Sequence, residues 1–121
     1  MTRSASSDSA CSALRGTRGC RAVFAAGLRA IDQAHELPLA RSFLADARLG
    51  IVVCADPEKS AVWIEDASIA TIFIQLAAES LGLGSCWVQI RNRMHNDNKE
   101  SGTYLSELLG IPSNLKVESV V

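Results

Sequence analysis

The sequence predicts an α+β protein, a three-layer α/β/α sandwich in which helices cover the two faces of a β-sheet. Three consecutive segments indicate this class. Leu49–Ala55 is an apolar run rich in β-branched residues, Val62–Leu81 has the length and composition of a long buried helix, and Ser85–Ile90 is a short apolar strand. Sheets and helices bury their apolar faces against one another, so a strand, a long helix and a second strand in this order indicate layers that share one core.

The N-terminal forty residues supply no predicted strand. Met1–Gly19 is rich in Ser and has no apolar period, so we expect it to be poorly ordered. Arg21–His35 is predicted as a helix because its larger apolar residues recur at helical spacing, and Arg41–Ala47 is predicted as a second short helix. We therefore divide the chain into an atypical segment, residues 1–41, and a partial domain, residues 42–121. A chain that begins at residue 41 is expected to keep the fold.

The long helix Val62–Leu81 is the central element of the predicted fold. Glu65 and Asp66 lie in its first turn, and we interpret them as acids that suit the helix dipole rather than as acid–base catalysts. Gly82 follows its end, where a left-handed residue is expected. Apolar residues cover most of its circumference and leave a narrow polar stripe: Ser68, Gln75 and Glu79, with Thr71 at its margin.

A helix that is apolar nearly all round is buried in a large core, in an interface or in a membrane. The charged residues of Val62–Leu81 argue against a membrane, because a spanning helix needs about 20 mostly apolar residues with few charges. A chain of 121 residues has little core with which to surround such a helix. We therefore predict a homodimer through Val62–Leu81.

The remaining segments complete a small sheet. Asp56–Lys59 is predicted as a turn, Arg91–Gly102 as a polar loop, and Tyr104–Leu109 as a short helix closed by Gly110. Leu115–Val121 alternates in the manner of a strand with one wetter face, the face of Lys116, Glu118 and Val120. The prediction thus has about three strands. Sheets usually have about 4–6, so we expect the fold to be incomplete at both ends.

Charge and cysteine content exclude several classes of function. The formal net charge is -1 and the pI is about 6.1, so the chain lacks the basic footprint of a nucleic-acid-binding protein. No two of its cysteines are spaced as C-x-x-C, and we predict no metal site. Cys54 and Cys86 lie in apolar runs and are predicted to be small buried hydrophobes. These features, and the lack of an apolar run fit for a secretory signal, favour a reduced cytoplasmic protein.

Few side chains point to chemistry on their own. His95 lies in the predicted polar loop without an orienting partner, so we interpret it as solvated. Arg91 and Arg93 either bind a phosphate or form a solvated rim. Trp87 is equally compatible with a place in the core and a place beside a ligand pocket. No catalytic residue is predicted.

Three sequence runs occur together and in a specific order. They read FLADARLGIVVCADPEKS, WIEDASIATIFIQLAAESLGLGSCWVQIRNR and YLSELLGIPSNLKV. In this combination Phe43–Val121 resembles the C-terminal half of the FMN-dependent nitroreductase family. The resemblance implies an α+β sandwich whose long central helix forms a homodimer, with FMN bound at the dimer interface.

The resemblance also implies a function and a site. The family takes hydride from NADH or NADPH onto FMN and passes electrons to a nitroaromatic, a quinone or a related small-molecule acceptor by a ping-pong route. The strand after G-L-G-S-C-W lies beside the flavin ring in the family. Trp87, Val88, Gln89 and Ile90 are therefore expected against the isoalloxazine, with backbone N–H groups facing N5 and O4 of the ring.

Two departures from the family support an alternative. The family's phosphate-binding motif has the form Arg-Ser-x-Arg, whereas Arg3-Ser4 is followed here by Ala5-Ser6, and residues 1–41 show no resemblance. The basic phosphate ligand that follows the last strand of the family is also not found. The alternative is a non-catalytic, truncated remnant that keeps the dimerising helix but does not hold FMN. If FMN binds, its binding is expected to be weak, because phosphate normally uses charge-assisted contacts.

Overall fold

The computed structural model describes residues 12–14, 22–26 and 47–121. Within these ranges the chain forms a five-stranded sheet, a two-stranded hairpin and two helices. The elements are β1 (Ser12–Leu14), β2 (Ala22–Ala26), β3 (Gly50–Ala55), α1 (Trp63–Ser80), β4 (Val88–Gln89), β5 (Met94–Asn96), β6 (Lys99–Glu100), α2 (Ser101–Leu109) and β7 (Lys116–Val120). The main sheet has the order β1-β2-β3-β7-β4, and neighbouring strands are antiparallel.

The two faces of the sheet carry separate cores. Val52 and Cys54 of β3 pack on the face that α2 covers, whereas Val53 and Ala55 pack on the face that α1 covers. Successive side chains of a strand point to opposite faces, so β3 contributes to both cores. The α2 core is the larger, with buried members Val52, Cys54, Val88, Ile90, Leu105, Ile111, Leu115, Val117 and Val120. One helix on each face confirms the predicted three-layer α/β/α sandwich.

The N-terminal strands correct the prediction. β2 pairs with β3 along its whole length, from Ala22 opposite Cys54 to Ala26 opposite Gly50, and β1 extends the sheet. The expectation of no strand in the first forty residues is therefore wrong, and so is the helix Arg21–His35 over β2. An apolar run as short as AVFAA does not distinguish strand from helix by its period, and pairing with β3 decides its conformation. The rest of Arg21–His35 and nearly all of Arg41–Ala47 lie outside the described residues.

These strand pairings also contradict two expectations, the poor order of the N-terminal segment and the position of the domain boundary. β1 lies within the segment Met1–Gly19 that was expected to be poorly ordered, so that expectation is wrong for residues 12–14. The sheet contains β2 and β3 together, and it therefore crosses the boundary predicted between residues 41 and 42. In the part of the chain that the structure describes, the sheet has five strands rather than about three.

Helix α1 matches the predicted long helix closely. It ends as expected: Gly82 has a φ of 73°, and Leu83 N donates to Ala78 O at 2.9 Å. This bond spans six residues and closes the C-terminus of the helix in the manner of a Schellman motif. Ser60 Oγ donates to Asp66 Oδ2 at 3.1 Å near the N-terminus.

Large apolar side chains of α1 point away from its own sheet. The most exposed are Ile69 (56% exposed), Ile72 (46%), Phe73 (66%) and Leu76 (59%). On the sheet-facing side Ala67 and Thr71 are fully buried, and Trp63 and Ile74 pack partly buried against the same core. The prediction that Thr71 borders a wet stripe is wrong. Its Oγ1 donates to Ala67 O at 2.8 Å and lies 2.8 Å from Ser119 Oγ, so the hydroxyl is satisfied inside the core.

The connections after β3 and β4 follow from local hydrogen bonds. The predicted turn at Asp56–Lys59 is confirmed, because Lys59 N donates to Asp56 O at 3.1 Å. The predicted polar loop Arg91–Gly102 is only partly right, since it contains the hairpin β5–β6 and the start of α2. Asn98 N donates to the side chain of Asn96 at 2.9 Å, which stabilises the hairpin turn. Gly110 closes α2 in the left-handed conformation, as predicted.

Candidate functional site

The candidate site is built around β4, the outer strand of the described sheet. β4 pairs with β7 through Val88 opposite Val120 and Gln89 opposite Ser119. Beyond β4, Ile90 N and Arg91 N both donate to Glu118 O at 3.1 Å. Backbone groups of an antiparallel strand alternate in direction, so the N–H and C=O of Gln89 point away from β7 toward the open edge. Among the described residues, no strand pairs with that edge.

The four predicted site residues divide between the two faces of the sheet. Val88 and Ile90 are 5% and 1% exposed and belong to the core under α2. Trp87 and Gln89 are partly buried on the opposite face, where the indole Nε1 donates to Gln89 Oε1 at 3.1 Å. Val88 and Ile90 thus anchor the strand, and Trp87 and Gln89 present side chains on the face that α1 covers.

A β-bulge in β7 places an acidic residue on this face. The register moves from Val53 opposite Ser119 to Cys54 opposite Val117, which leaves Glu118 as the extra residue. In a regular strand Val117 and Val120 would point to opposite faces, yet both lie in the α2 core. The bulge accounts for this, because an inserted residue shifts the alternation and redirects a side chain.

Glu118 is buried and holds two polar neighbours. It is 2% exposed, and its Oε2 accepts a bond from Arg91 Nε at 2.7 Å. Its Oε1 accepts a longer bond from Gln89 Nε2 at 3.4 Å. Gln89 Nε2 also lies 3.3 Å from Arg91 O. A buried carboxylate must be paired and hydrogen-bonded to be tolerated in the interior, and the Arg91 ion pair provides this at the sheet edge. We call Trp87, Gln89, Arg91 and Glu118 the edge network.

Two open clefts flank the β4 segment. One, of about 540 Å³, lies before the strand and is mainly apolar, with Ile74, Ala78 and Leu83 among its lining residues. The other, of about 610 Å³, lies after the strand and includes Trp63 and Arg91 in its lining. Both volumes fall in the range of about 300–1,000 Å³ that is typical of small-molecule sites. Val88 lines the first cleft, and Ile90 and Arg91 line the second, so both clefts border the β4 segment.

Other candidates from the sequence have different environments from those expected. His95 is not simply solvated, because its ring stacks on Tyr104 with centroids 4.0 Å apart and an interplanar angle of 12°. Cys54 is buried as predicted, whereas the prediction of a buried Cys86 is wrong, because it is exposed in the segment before β4. Arg91 forms the ion pair with Glu118, an arrangement that neither sequence interpretation included.

Sequence reasoning missed Glu118 altogether. The alternation over Leu115–Val121 placed it on the wetter face, whereas the structure buries it. A bulge depends on the register with the neighbouring strand, and no local pattern in the sequence indicates it. Within the described residues, no group of three or more His, Cys, Asp or Glu side chains is arranged to hold a metal ion. No helix there is long and apolar enough to cross a membrane.

Comparison with known proteins assigns the fold and its edge strand to a family. The sequence profile of the nitroreductase family matches residues 18–121. The chain belongs to the nitroreductase family. The match begins well before Phe43, so the expectation that residues 1–41 show no resemblance is wrong from residue 18 onward.

Individual nitroreductase-family relatives agree with this assignment. An Archaeoglobus fulgidus protein named "Putative NADH dehydrogenase/NAD(P)H nitroreductase" is 46% identical over 82 residues, which are 64% of this chain and 44% of that protein. The solved structure of an FMN-dependent nitroreductase from Clostridium difficile R20291 is 42% identical with a TM-score of 0.74, and the match covers 92% of this chain and 65% of that one. A Parabacteroides distasonis structure with the archaeal protein's name is 30% identical, has a TM-score of 0.73, and is matched over 93% of this chain and 64% of its own.

The nitroreductase-family chain is shorter than these relatives. It spans less than half of the curated archaeal protein and about two thirds of each of the two solved structures.

Proposed function

We propose that this nitroreductase-family chain is an FMN-binding oxidoreductase, which takes reducing equivalents from NADH or NADPH and passes them to a nitroaromatic, a quinone or a related small acceptor. The C. difficile relative, 42% identical, is FMN-dependent, and the archaeal relative bears the name of an NAD(P)H nitroreductase. The observation that carries the proposal is the open edge of β4, where the backbone N–H and C=O of Gln89 point away from the sheet. We expect the protein in the cytoplasm.

The residues at this edge fit the ring of FMN. A flavin ring is planar and has hydrogen-bond acceptors along one side, which suits an extended strand with an outward N–H group. In our proposal the isoalloxazine lies along Trp87, Val88, Gln89 and Ile90, and the Gln89 N–H donates to the ring. Val88 and Ile90 keep the strand rigid because they are buried in the α2 core. FMN supplies the hydride and electron chemistry, and these residues bind and orient it.

The outward face of α1 supports a homodimer as the functional unit. Ile69, Ile72, Phe73 and Leu76 leave a row of large apolar side chains exposed on one chain. Exposed apolar patches of this kind are typical of interaction sites. We propose that a second copy covers this face through the same residues, because most oligomers of identical chains use two-fold symmetric contacts. The partner would also complete the wall of the cofactor site.

A fluorescence titration tests FMN binding. Trp63→Phe leaves Trp87 as the sole tryptophan, since the chain has two. We expect the emission of Trp87 to fall on addition of FMN, with weak affinity. Gln89→Pro removes the outward N–H and keeps the β4–β7 ladder, because proline is tolerated at an edge strand when its nitrogen faces outward. It should weaken binding about tenfold, the equivalent of one hydrogen bond of about 1.4 kcal/mol.

Gln89→Ala is the matched control for the proline variant. It removes the side chain but keeps the backbone N–H, so it should bind FMN more tightly than Gln89→Pro. Equal affinity of the two variants would contradict donation from the backbone. A tightly bound yellow cofactor that survives purification would contradict the expectation of weak binding, and it would reveal phosphate ligands that the sequence does not suggest.

The alternative is a protein that dimerises through α1 and does not hold FMN. One observation favours it: Arg3-Ser4 is followed by Ala5-Ser6, whereas the family motif has a second arginine. The same titration separates the two functions. If neither Trp87 emission nor FMN absorbance changes at millimolar FMN, the alternative is supported and the oxidoreductase proposal is wrong.

A further inference from the structure

We propose that Glu118 is a positioning residue of the flavin edge, which fixes Gln89 and Arg91 and holds the Arg91 guanidinium as an oriented positive charge beside the ring. This inference rests on the proposed FMN site along Trp87–Ile90. It concerns a residue that contacts the edge strand from its neighbour β7, and it assigns a role to the bulge that redirects Glu118.

The carboxylate of Glu118 is held next to the end of β4. Glu118 O accepts the N–H groups of both Ile90 and Arg91, so its backbone is tied to the end of β4. Its side chain lies on the same face as Gln89 and reaches Gln89 and Arg91 with different oxygens. The bulge lets Glu118 share this face with its neighbour Ser119, because the extra residue interrupts the alternation of the strand.

Arg91 is bonded to this carboxylate. Its Nε is bonded to Glu118 at 2.7 Å, and its side chain remains 31% exposed, compared with 3% for Glu118. A guanidinium has five N–H donors in a rigid plane. A bond through Nε fixes this plane and leaves the terminal nitrogens free to approach a ligand at the partly exposed side. The pair also makes the buried carboxylate tolerable, since breaking such a pair leaves an uncompensated charge.

Gln89 links Trp87 to the same carboxylate. Gln89 Nε2 faces two acceptors, Glu118 Oε1 and Arg91 O, and its Oε1 faces the donor Trp87 Nε1. These partners assign the orientation of the Gln89 amide. In the opposite orientation its oxygen would face two acceptors and its nitrogen would face the donor Trp87 Nε1. One buried carboxylate thus orders three side chains on the face that borders the proposed ring site.

The charges of Glu118 and Arg91 determine in which direction a substitution changes the preference for reduced FMN. FMN gains negative charge on reduction, and a positive charge nearby favours the reduced form. Glu118→Gln removes the negative charge, but its amide oxygen still accepts the bond from Arg91 Nε and keeps the guanidinium in place. Reduced FMN should therefore bind more tightly relative to oxidised FMN. We expect the ratio of the Kd for oxidised FMN to the Kd for reduced FMN to rise about tenfold. In Glu118→Gln/Arg91→Gln both charges are removed, and the ratio should return close to that of the wild type.

Titrations of the whole chain with oxidised and dithionite-reduced FMN measure this ratio. Asp97→Asn is the control, because Asp97 is an exposed acid at the tip of the β5–β6 hairpin and lines neither cleft, and it should leave the ratio unchanged. A residue with a purely structural role would weaken both forms of FMN alike. An unchanged ratio in folded Glu118→Gln therefore overturns the inference, and wild-type protein that binds no FMN overturns the proposed function and this inference together.

A second variant applies if Glu118→Gln does not fold. Glu118→Asp keeps the charge but shortens the side chain by one methylene, so it does not reach both Gln89 and Arg91. In a Trp63→Phe background, we expect faster local motion of Trp87, measured by time-resolved anisotropy, and FMN binding weakened several-fold. Unchanged anisotropy and unchanged FMN affinity in this variant would overturn the inference.

Discussion

The two helices cover opposite faces of one sheet with opposite arrangements of side chains. Helix α2 buries Leu105, which is 1% exposed, and presents Thr103 and Glu107 outward. Helix α1 buries Ala67 and Thr71 and presents its large apolar residues outward. The mean polarity of a helix does not reveal this difference, because it depends on which side faces the chain's own sheet.

Within one chain the large apolar side chains of α2 are covered, whereas a row of large apolar side chains of α1 stays exposed. The large residues of α2 are inside, as in an ordinary surface helix with one apolar stripe. In α1 the contact with the sheet contains a buried pair of hydroxyls, Thr71 and Ser119. The outward row of apolar side chains would gain stability from a second surface at about 25 cal/mol for each Å² of apolar area removed from water. Variants on the two helices can break or sharpen this comparison.

The largest effect is expected from Ile72→Glu on the outward face of α1. A glutamate there would lie unpaired in the proposed dimer contact, and we expect self-association to weaken by about 1,000-fold, or about 4 kcal/mol. Analytical ultracentrifugation over a range of concentrations measures the change. Thr103→Glu, on the exposed side of α2, is the control and should leave association unchanged. A wild-type chain that is a well-folded monomer at high concentration would refute the dimer.

The choice of Ile72 is important for this test. Ile74, another candidate on the same helix, packs partly against the chain's own sheet. Ile74→Glu would therefore destabilise a monomer as well as a dimer, and it would not distinguish between them.

Leucine truncations on the two helices should affect different equilibria. Leu105→Ala creates a cavity in the α2 core and should lower the free energy of unfolding by about 2–5 kcal/mol without changing self-association. Leu76→Ala, on a residue that is 59% exposed, should instead weaken association and change subunit stability by about 0.5 kcal/mol or less. Urea unfolding, measured at two protein concentrations, separates the effects. A large loss of monomer stability in Leu76→Ala would mean that the row already packs within one chain.

The hydroxyl pair under α1 should give an intermediate effect. Thr71→Val removes the contact with Ser119 and leaves a buried hydroxyl without this partner, at a cost of about 1–3 kcal/mol. Adding Ser119→Ala removes the unsatisfied group, so the double variant should be more stable than Thr71→Val alone. A double-mutant cycle in urea measures the coupling. If the two single effects simply add, the hydroxyls do not interact.

The smallest effect is expected where the helices are alike. Gly82 after α1 and Gly110 after α2 have φ values of 73° and 66°, and a Cβ added to either would meet no atom within 4 Å. Ala at either position should therefore cost about 1 kcal/mol, from backbone strain alone. Thermal unfolding should show nearly equal shifts for the two variants. A much larger loss at Gly82 would indicate that the end of α1 is packed in the dimer.

The sequence predicted the elements with strong local signals. α1 was placed within one residue at each end, because its acids, apolar length and terminal glycine all agree. β3 was recognised from its β-branched run, and β7 from its alternation of apolar and polar residues. Each of these segments has a pattern long enough to specify its conformation without knowledge of its neighbours.

The sequence failed where pairing decides the structure. β2 is a short run whose strand conformation depends on pairing with β3, and the polar hairpin β5–β6 has no apolar alternation. The bulge at Glu118 depends on register, so the edge network could not be predicted. For the site, the family resemblance identified the strand Trp87–Ile90. Only the structure of the sheet showed which of these residues lie in the core and which lie on the opposite face.

The central position of β7 has a consequence for synthesis of the chain. β7 lies between β3 and β4 in the sheet, yet it follows both of them in sequence. The ribosome makes β3, α1 and β4 before the strand that joins them, at about 5–20 residues per second. Until β7 is made, β4 lacks the strand with which it pairs in the described sheet. The outward apolar side chains of α1 have already been synthesised by then. Nascent chains of this protein should therefore be substrates for chaperones until β7 emerges.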